Sequence, residues 1–462
     1  MKQQAVSGSF RDPSGYVYAR DGKVYRRIHN CYRDDYELFI KSGLYETLVR
    51  DGLLVSHEEI SPQDGTDNVF LDLLPEQIPF ISYPYEWSLS QLLDAGLLTL
   101  RIQQRALEHG MSLKDASSYN VQFYNGKPIF IDTLSFEKYQ EGRPWVAYQQ
   151  YCQHFLAPLA LMKYCDVRLV KLLCTNLDGV PVELASKILP RITLFNPGCL
   201  MHIHLQALAK IRYSDSAREG EVKFRPVSKL ALQRIITSLE RTTEKMQRQP
   251  QKTEWSDYYE SKNNYDQESL GAKENFIKSC LDSLSPNLVW DFGANTGRFS
   301  RLASSRCCLT IACDIDHSCV DINYQAARQN GETHLLPLYL DITNPSPAIG
   351  WNNHERFPLT QRSKPDLVIA LALIHHLAIS NNIPLDKIAA FLAECSPNLV
   401  IEFVPKTDSM VQRLLQTRED IFPDYSREQF EAVFSGYYRI LHSEQLAGSD
   451  RYLYQMERTV AV

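Results

Sequence analysis

The period of the apolar positions changes repeatedly along the chain, and each change marks an element. From Tyr16 to Arg27 apolar and polar residues alternate around Asp21-Gly22, and Asp-Gly between alternating runs is a strong hairpin signal. Leu38, Ile40, Leu44, Leu48 and Leu53 fall roughly on one face, so Tyr36 to Leu54 reads as helix. Val69 to Leu73 and Ile78 to Ser82 read as strands, Tyr83-Pro84-Tyr85 as a break, and Ser90 to Gly110 as a further helix. Asn125-Gly126 predicts a second hairpin. Trp145 to Leu173 is helical with an interruption at Pro158, and helices continue from Ile188 to Arg212 with a break at Pro197-Gly198. Leu230 to Met246 keeps the stripe of one amphipathic helix, and polar Gln247 to Thr253, with Pro250, reads as a linker.

The second half has a different rhythm. After a helix from about Ala272 to Leu284, short apolar runs recur with helical stretches between them: Leu288 to Trp290, Leu309 to Cys313, Leu335 to Leu340, Leu367 to Leu373 and Leu399 to Phe403. Wholly apolar strands are expected in a parallel sheet covered on both faces. Ser426 with Gln429 three later is a capping box opening a helix. Tyr438 to Glu444 and Arg451 to Glu457, around Gly448, then read as two final strands.

Length and composition narrow the class. At 462 residues two or three domains are expected. A net charge of −6 disfavours a nucleic-acid partner. Eleven cysteines without a Cys-x-x-Cys pair point to free thiols in a reducing compartment. No secretion signal is expected in the polar residues after Met1, and no apolar run approaches the ~20 residues of a membrane span, so a cytoplasmic location is expected.

The chemistry concentrates where the apolar runs end. Leu288 to Trp290 leads to Asp291, then to the small-residue loop Gly293-Ala294-Asn295-Thr296-Gly297 and a helix with Phe299 and Leu302. Glycine lets a ligand lie against the main chain, and the new helix offers unpaired N–H groups. Asn295 stands where a dinucleotide motif has its middle glycine, which argues against a nicotinamide dehydrogenase. The second run ends at Asp314, seventeen residues past Gly297, where a carboxylate can accept two ribose hydroxyls. Asp316 fits better as a helix cap. The third run ends at Asp341-Ile342, and the fourth at Ile374-His375-His376-Leu377. A histidine at a strand tip can act as general base or can be structural, and both readings stand.

Asp-x-Gly-x-x-x-Gly after a strand, followed by Asp314 and Asp341 at successive strand ends, resembles the class I S-adenosylmethionine (SAM) dependent methyltransferases. The resemblance implies a Rossmann-like α/β domain, with a mostly parallel seven-stranded sheet and an antiparallel final hairpin. It also implies SAM held by Asp291, Gly293, Asn295, Gly297, Asp314, Asp341 and Ile342, with His375 and His376 as catalytic candidates. By the same resemblance Tyr258, Tyr259 and Tyr265 are candidates for a lid. The Ile374-His375-His376-Leu377 and Glu402-Phe403-Val404-Pro405-Lys406 segments are also similar to nodulation-type NoeA methyltransferases.

The first half carries Asp115, Asn120 five residues later, a hairpin, and Asp132. This spacing resembles kinases, where an Asp is catalytic and an Asn and a second Asp hold magnesium. It implies an α+β kinase-like domain from about residue 15 to 210. The departures are Leu113 before the Asp, Thr133-Leu134 after Asp132, and the lack of a glycine-rich phosphate loop; Lys23 and Arg26 are the only nearby candidates for the phosphate-holding lysine. Turn caps, an inactive scaffold and active phosphotransfer all remain readings of these residues. Magnesium at Asn120 and Asp132, with ATP, is expected only if this domain binds nucleotide. No other metal site is expected: His154 reads as a core residue, and His202 and His204 cannot share a helix face.

The resulting expectation is a kinase-like, non-catalytic domain over 1–213, a helical connector with a lid over 214–270, and a methyltransferase domain over 271–462. The acceptor would be an oxygen or nitrogen nucleophile on a small molecule, glycan or protein. An ATP-using phosphotransferase and an inactive binding protein are the rivals.

Overall fold

The structure is a computed structural model, and it describes residues 4–62, 68–209, 226–253, 255, 267–306, 309–416 and 419–459. The lid candidates Tyr258, Tyr259 and Tyr265 lie outside the described residues. The chain divides into two units, Met1–Gln249 with Ala348–Phe357, and Pro250–Pro347 with Pro358–Val462.

In the first unit the alternating run around Asp21-Gly22 forms the predicted hairpin. Five antiparallel strands, β1 (Gln4–Ala5), β2 (Gly15–Arg20), β3 (Lys23–His29), β4 (His57–Ile60) and β5 (Val69–Pro75), make one sheet in the order β1-β2-β3-β5-β4. A buried polar triad ties it together: Arg27 donates twice to Asp72 at 2.8 Å, and the Tyr18 hydroxyl donates to the same carboxylate at 3.0 Å. Such a pair is tolerated inside because both carboxylate oxygens are satisfied. The single helix expected over Tyr36 to Leu54 is two, Arg33–Lys41 and Leu44–Arg50, because Gly43 turns left-handed between them (φ 76°). Ile78 to Ser82 joins no ladder; Ser82 N–H is instead satisfied by Gln122 Oε1 at 2.9 Å.

The helix Leu89–Glu108 leads to two small ribbons. These are β6 (Met111–Leu113) with β9 (Phe136–Lys138), and β7 (Val121–Tyr124) with β8 (Lys127–Phe130), the latter being the hairpin expected at Asn125-Gly126. The interruption expected at Pro158 is a π-helical turn, Cys152–Leu156, after which the proline lies in the first turn of Ala157–Tyr164. The wider turn moves away the carbonyl that a proline ring would strike. Ala348–Phe357 belongs to this unit through Glu355, which takes two bonds from Arg11 (2.7 and 3.1 Å), and through Arg356, whose guanidinium lies 4.3 Å from the Tyr119 ring centroid.

The second unit is built on seven strands: β10 (Leu288–Phe292), β11 (Leu309–Asp314), β12 (Leu335–Tyr339), β13 (Leu367–Ala370), β14 (Asn398–Phe403), β15 (Tyr438–Gln445) and β16 (Tyr452–Arg458). Their order is β12-β11-β10-β13-β14-β16-β15. The first five are parallel, and β16 enters antiparallel to β14 and β15. Apolar strands suit this sheet, since Val289, Ile311, Leu367, Val368, Ile369 and Val400 are all fully buried. Strand order reverses at β10, and open α/β sheets take ligands beyond the carboxyl ends of the strands at such a point.

Candidate active site

The registers bring the predicted acids to one edge. Phe292 pairs with Cys313 and with Ala370, and Asp314 pairs with Tyr339. The residues just past these pairs, Gly293 and Leu340-Asp341, therefore lie at the same sheet edge as Asp314. The loop after β10 is anchored by Gly293 and Ala294 N–H groups, both donating to Cys313 O (2.9 and 3.0 Å). Gly297 is left-handed (φ 86°), and a Cβ there would fall 2.3 Å from Asn323 Oδ1, so only glycine fits. At Gly293 (φ 74°) the nearest side-chain atom to a Cβ would be Leu373 Cδ1 at 3.5 Å; this position is exposed, so the main chain is accessible there.

Asp291 is buried and accepts the Ser300 hydroxyl at 2.6 Å. Burial pushes its carboxyl up to about 6, with the Ser300 bond pulling the other way. Asp314 accepts N–H bonds from Asn295 (2.7 Å) and Asp316 (2.8 Å), one on each oxygen, and Ile315 N–H adds to them; a carboxylate has about four lone-pair sites, so acceptor capacity is left for a hydroxyl donor. Its loss of hydration also moves it up to about 6, against those N–H bonds. Asp316 caps the helix His317–Asn330 through Ser318 and Cys319 N–H groups. Asp341 is half-buried, and its Oδ1 takes the Thr343 N–H (2.9 Å) and hydroxyl (2.6 Å); Ile342 beside it is half-buried and apolar.

His375 and His376 follow β13 with ring centroids 4.2 Å apart. His375 is buried, and its Nδ1 has no hydrogen-bond partner among the described residues. Burial, then His376 beside it, holds it well below the usual imidazole range, so it is neutral. His376 is half-buried. Its ring meets the Trp255 indole edge-on, centroids 5.2 Å apart, and Asn295 Nδ2 donates to Trp255 O at 2.8 Å.

Two features of this site escaped the sequence. Trp255 stood among several aromatics without distinction. Glu402 gave one signal, an acid inside an apolar strand: it is fully buried, accepts Lys273 Nζ at 2.5 Å and the N–H of left-handed Ala372 (φ 49°) at 2.8 Å, and lies 3.4 Å from Arg451. Arg451 in turn donates to Asp408 at 2.7 Å.

The first unit holds a separate cluster. Arg26 on β3 pairs with Asp132, which also accepts Leu134 N–H at 2.9 Å. Asp115 accepts Ser117 N–H (2.9 Å) and Gln150 Nε2 (2.7 Å); burial, then the Asp132 charge, raises its carboxyl, while a bond from Asn120 opposes the rise. Asn120 Nδ2 donates to Ser135 at 3.2 Å. Asp115, Asn120 and Asp132 thus share one neighbourhood. His154 is buried against the Ser118 hydroxyl (3.0 Å), and both nitrogens of His202 and of His204 are engaged by hydroxyls. Among the described residues no group of three His, Cys, Asp or Glu side chains could hold a metal ion, and every cysteine is free.

The seven-strand order with one antiparallel insertion, and acids at the tips of β10 and β11 and just beyond β12, define a Rossmann-like methyltransferase fold. No family model matches the chain. The chain belongs to the NoeA family of nodulation proteins: it is 35% identical over 463 residues to nodulation protein NoeA of Rhizobium meliloti (strain 1021), across 98% of this chain and 96% of that one. Solved structures similar to it include the N-methyltransferase NodS from Bradyrhizobium japonicum WM9 (12% identity, TM-score 0.31, 42% of this chain and 98% of NodS). Another is magnesium protoporphyrin IX methyltransferase ChlM from Synechocystis PCC 6803 with bound SAH (17% identity, TM-score 0.30, 41% of this chain and 84% of ChlM). Likeness of that size decides nothing about activity. No helix among the described residues is long and apolar enough to cross a membrane.

Proposed function

We propose that the protein is a SAM-dependent methyltransferase acting on an oxygen or nitrogen nucleophile of a small-molecule, glycan or protein acceptor. The observation that carries this reading is the alignment of Asp291, Asp314 and Asp341 beside the open Gly293–Gly297 loop. These residues fit the cofactor. Gly293 admits it against the main chain, Asp314 has lone pairs for the ribose hydroxyls, Asp341 and Ile342 suit the adenine edge and face, and Asp291 sets the loop through Ser300. When bound, the cofactor supplies an electrophilic methyl group. The protein's part is to hold the acceptor in line and to exclude water. Trp255 covers the loop from one side through Asn295 and His376. Of the two histidines, buried and neutral His375 is suited to support, and half-buried His376 to take the acceptor's proton.

Calorimetry with S-adenosylhomocysteine tests the reading. Micromolar binding that Asp314→Ala weakens at least tenfold is expected. A folded wild type giving no heat, indistinguishable from Asp314→Ala, would overturn it.

For the first unit we favour a kinase-like scaffold without phosphotransfer over an ATP-using enzyme. The Arg26–Asp132 ion pair supports this, because a guanidinium sits on the carboxylate that magnesium would need. ATP–magnesium binding that Asp132→Ala abolishes would reverse the preference.

A further inference from the structure

Nine of the sixteen large apolar side chains left exposed among the described residues come from Leu184 to Leu208 and Leu230. Phe195 is 84% and Ile192 66% exposed. Met201, Leu205 and Leu208 are spaced as one helical stripe and are each about half exposed or more, while His202, Ile203 and His204 between them are buried. The stripe runs antiparallel beside the helix Lys229–Glu244. Gly198 lies against Thr242, with a Cβ there only 2.2 Å from its Oγ1, and His202 Nε2 bonds Ser238 at 2.9 Å. Those two contacts, four residues apart on both segments, set the antiparallel direction, and Leu205 and Leu208 continue the stripe toward the N-terminal half of that helix, which carries Leu230 and Arg234.

The same helix carries exposed Arg234, Arg241 and Lys245, seven and four residues apart on one face, lining a shallow groove with Asn196, Thr237 and Leu230. Lys187 and Arg191 are also exposed nearby in sequence. Of the acids on this helix, Glu240 accepts Gln104 Nε2 at 2.9 Å, and Glu244 is exposed at its end. A chain of net charge −6 therefore gathers cations where it also exposes its apolar side chains.

We propose that this face docks on an anionic lipid surface. The apolar side chains would enter the headgroup–acyl boundary, and Arg234, Arg241 and Lys245 would take lipid phosphates. A protein partner would call for the reverse arrangement, an apolar patch depleted of charge at its centre. Here the apolar groups protrude from short helical turns, and the recess beside them is cationic and hydroxyl-lined. This proposal is independent of the chemistry in the second unit.

The test is co-sedimentation of the full chain with vesicles of phosphatidylcholine alone or mixed with phosphatidylglycerol. The protein is expected to pellet with the mixed vesicles and to stay in solution with the neutral ones. Arg234→Glu with Arg241→Glu should lower partitioning by roughly tenfold or more, and Phe195→Ser with Leu205→Ser should lower it also, with thermal stability unchanged because all four side chains are exposed. Protein left in solution by both vesicles, or pelleting indifferent to these substitutions, overturns the proposal. So does a dimer in light scattering that Leu205→Ser dissociates, since a second copy would then cover the face.

Discussion

Asn295 donates its side-chain amide to the main-chain oxygen of Trp255 at 2.8 Å. One hydrogen bond thus ties the start of the second unit to the loop that would meet the cofactor, and the Trp255 ring continues the link to His376. An edge-to-face aromatic pair is worth about 1 kcal/mol beyond its buried area. Trp255→Ala is therefore expected to weaken S-adenosylhomocysteine binding about fivefold and, because the indole also packs against the core of this unit, to lower the melting temperature modestly, by calorimetry and thermal denaturation. A melting shift with affinity intact would make Trp255 merely structural.

The two loop glycines should separate stability from binding. Gly297→Ala forces a Cβ onto Asn323 at a left-handed position and should cost about 2 kcal/mol of stability. Gly293→Ala meets no side-chain atom closer than 3.5 Å, so its cost should be smaller and should show chiefly as lost affinity. Denaturant melts alongside calorimetry distinguish the two. Equal losses in both measurements for both variants would refute the assignment.

Glu402 holds Ala372 in a left-handed conformation from within a buried charge network. Removing one partner of a buried pair costs about 3–5 kcal/mol, so Glu402→Ala should be severely destabilised and Glu402→Gln less so. Ala372→Gly relieves about 1 kcal/mol of backbone strain. If the carboxylate acts through this peptide, Ala372→Gly should stabilise Glu402→Gln more than it stabilises the wild type, read in denaturant melts. Equal stabilisation in both backgrounds would mean that the carboxylate does not act through this peptide.

The acids also predict a pH dependence. Asp291 and Asp314 have folded pKa values of about 6, raised from 3.8. A raised acid is more protonated in the folded chain than in the unfolded one, so stability falls as pH rises from about 4 to about 6 and stays low above. The effect is about 3 kcal/mol at most for each group. A ligand that donates hydroxyl or ammonium protons favours the carboxylates. Its affinity should rise with pH through 6, and binding at pH 6 should release protons, read by calorimetry in buffers of different ionisation enthalpy. Proton uptake would contradict the assignment.

Much of this protein was determined by its linear pattern. Apolar runs ending in Asp291, Asp314 and Asp341 forecast the parallel strands and the acids near their tips, since a strand buried on both faces must be apolar until it leaves the sheet. Both N-terminal hairpins followed from their turn residues. Local rules missed the break at Gly43, the run from Ile78 to Ser82 that joins no ladder and the π-turn before Pro158, because a glycine within a helical stripe is ambiguous and the other two depend on what lies across the fold. Only the tertiary structure decided that Trp255 caps Asn295, that Glu402 sets Ala372, that Arg26 reaches Asp132, and that Ala348–Phe357 joins the first unit. Periodicity reports which face of an element is buried, and it carries no information on which distant side chain will satisfy a buried charge or an orphaned N–H.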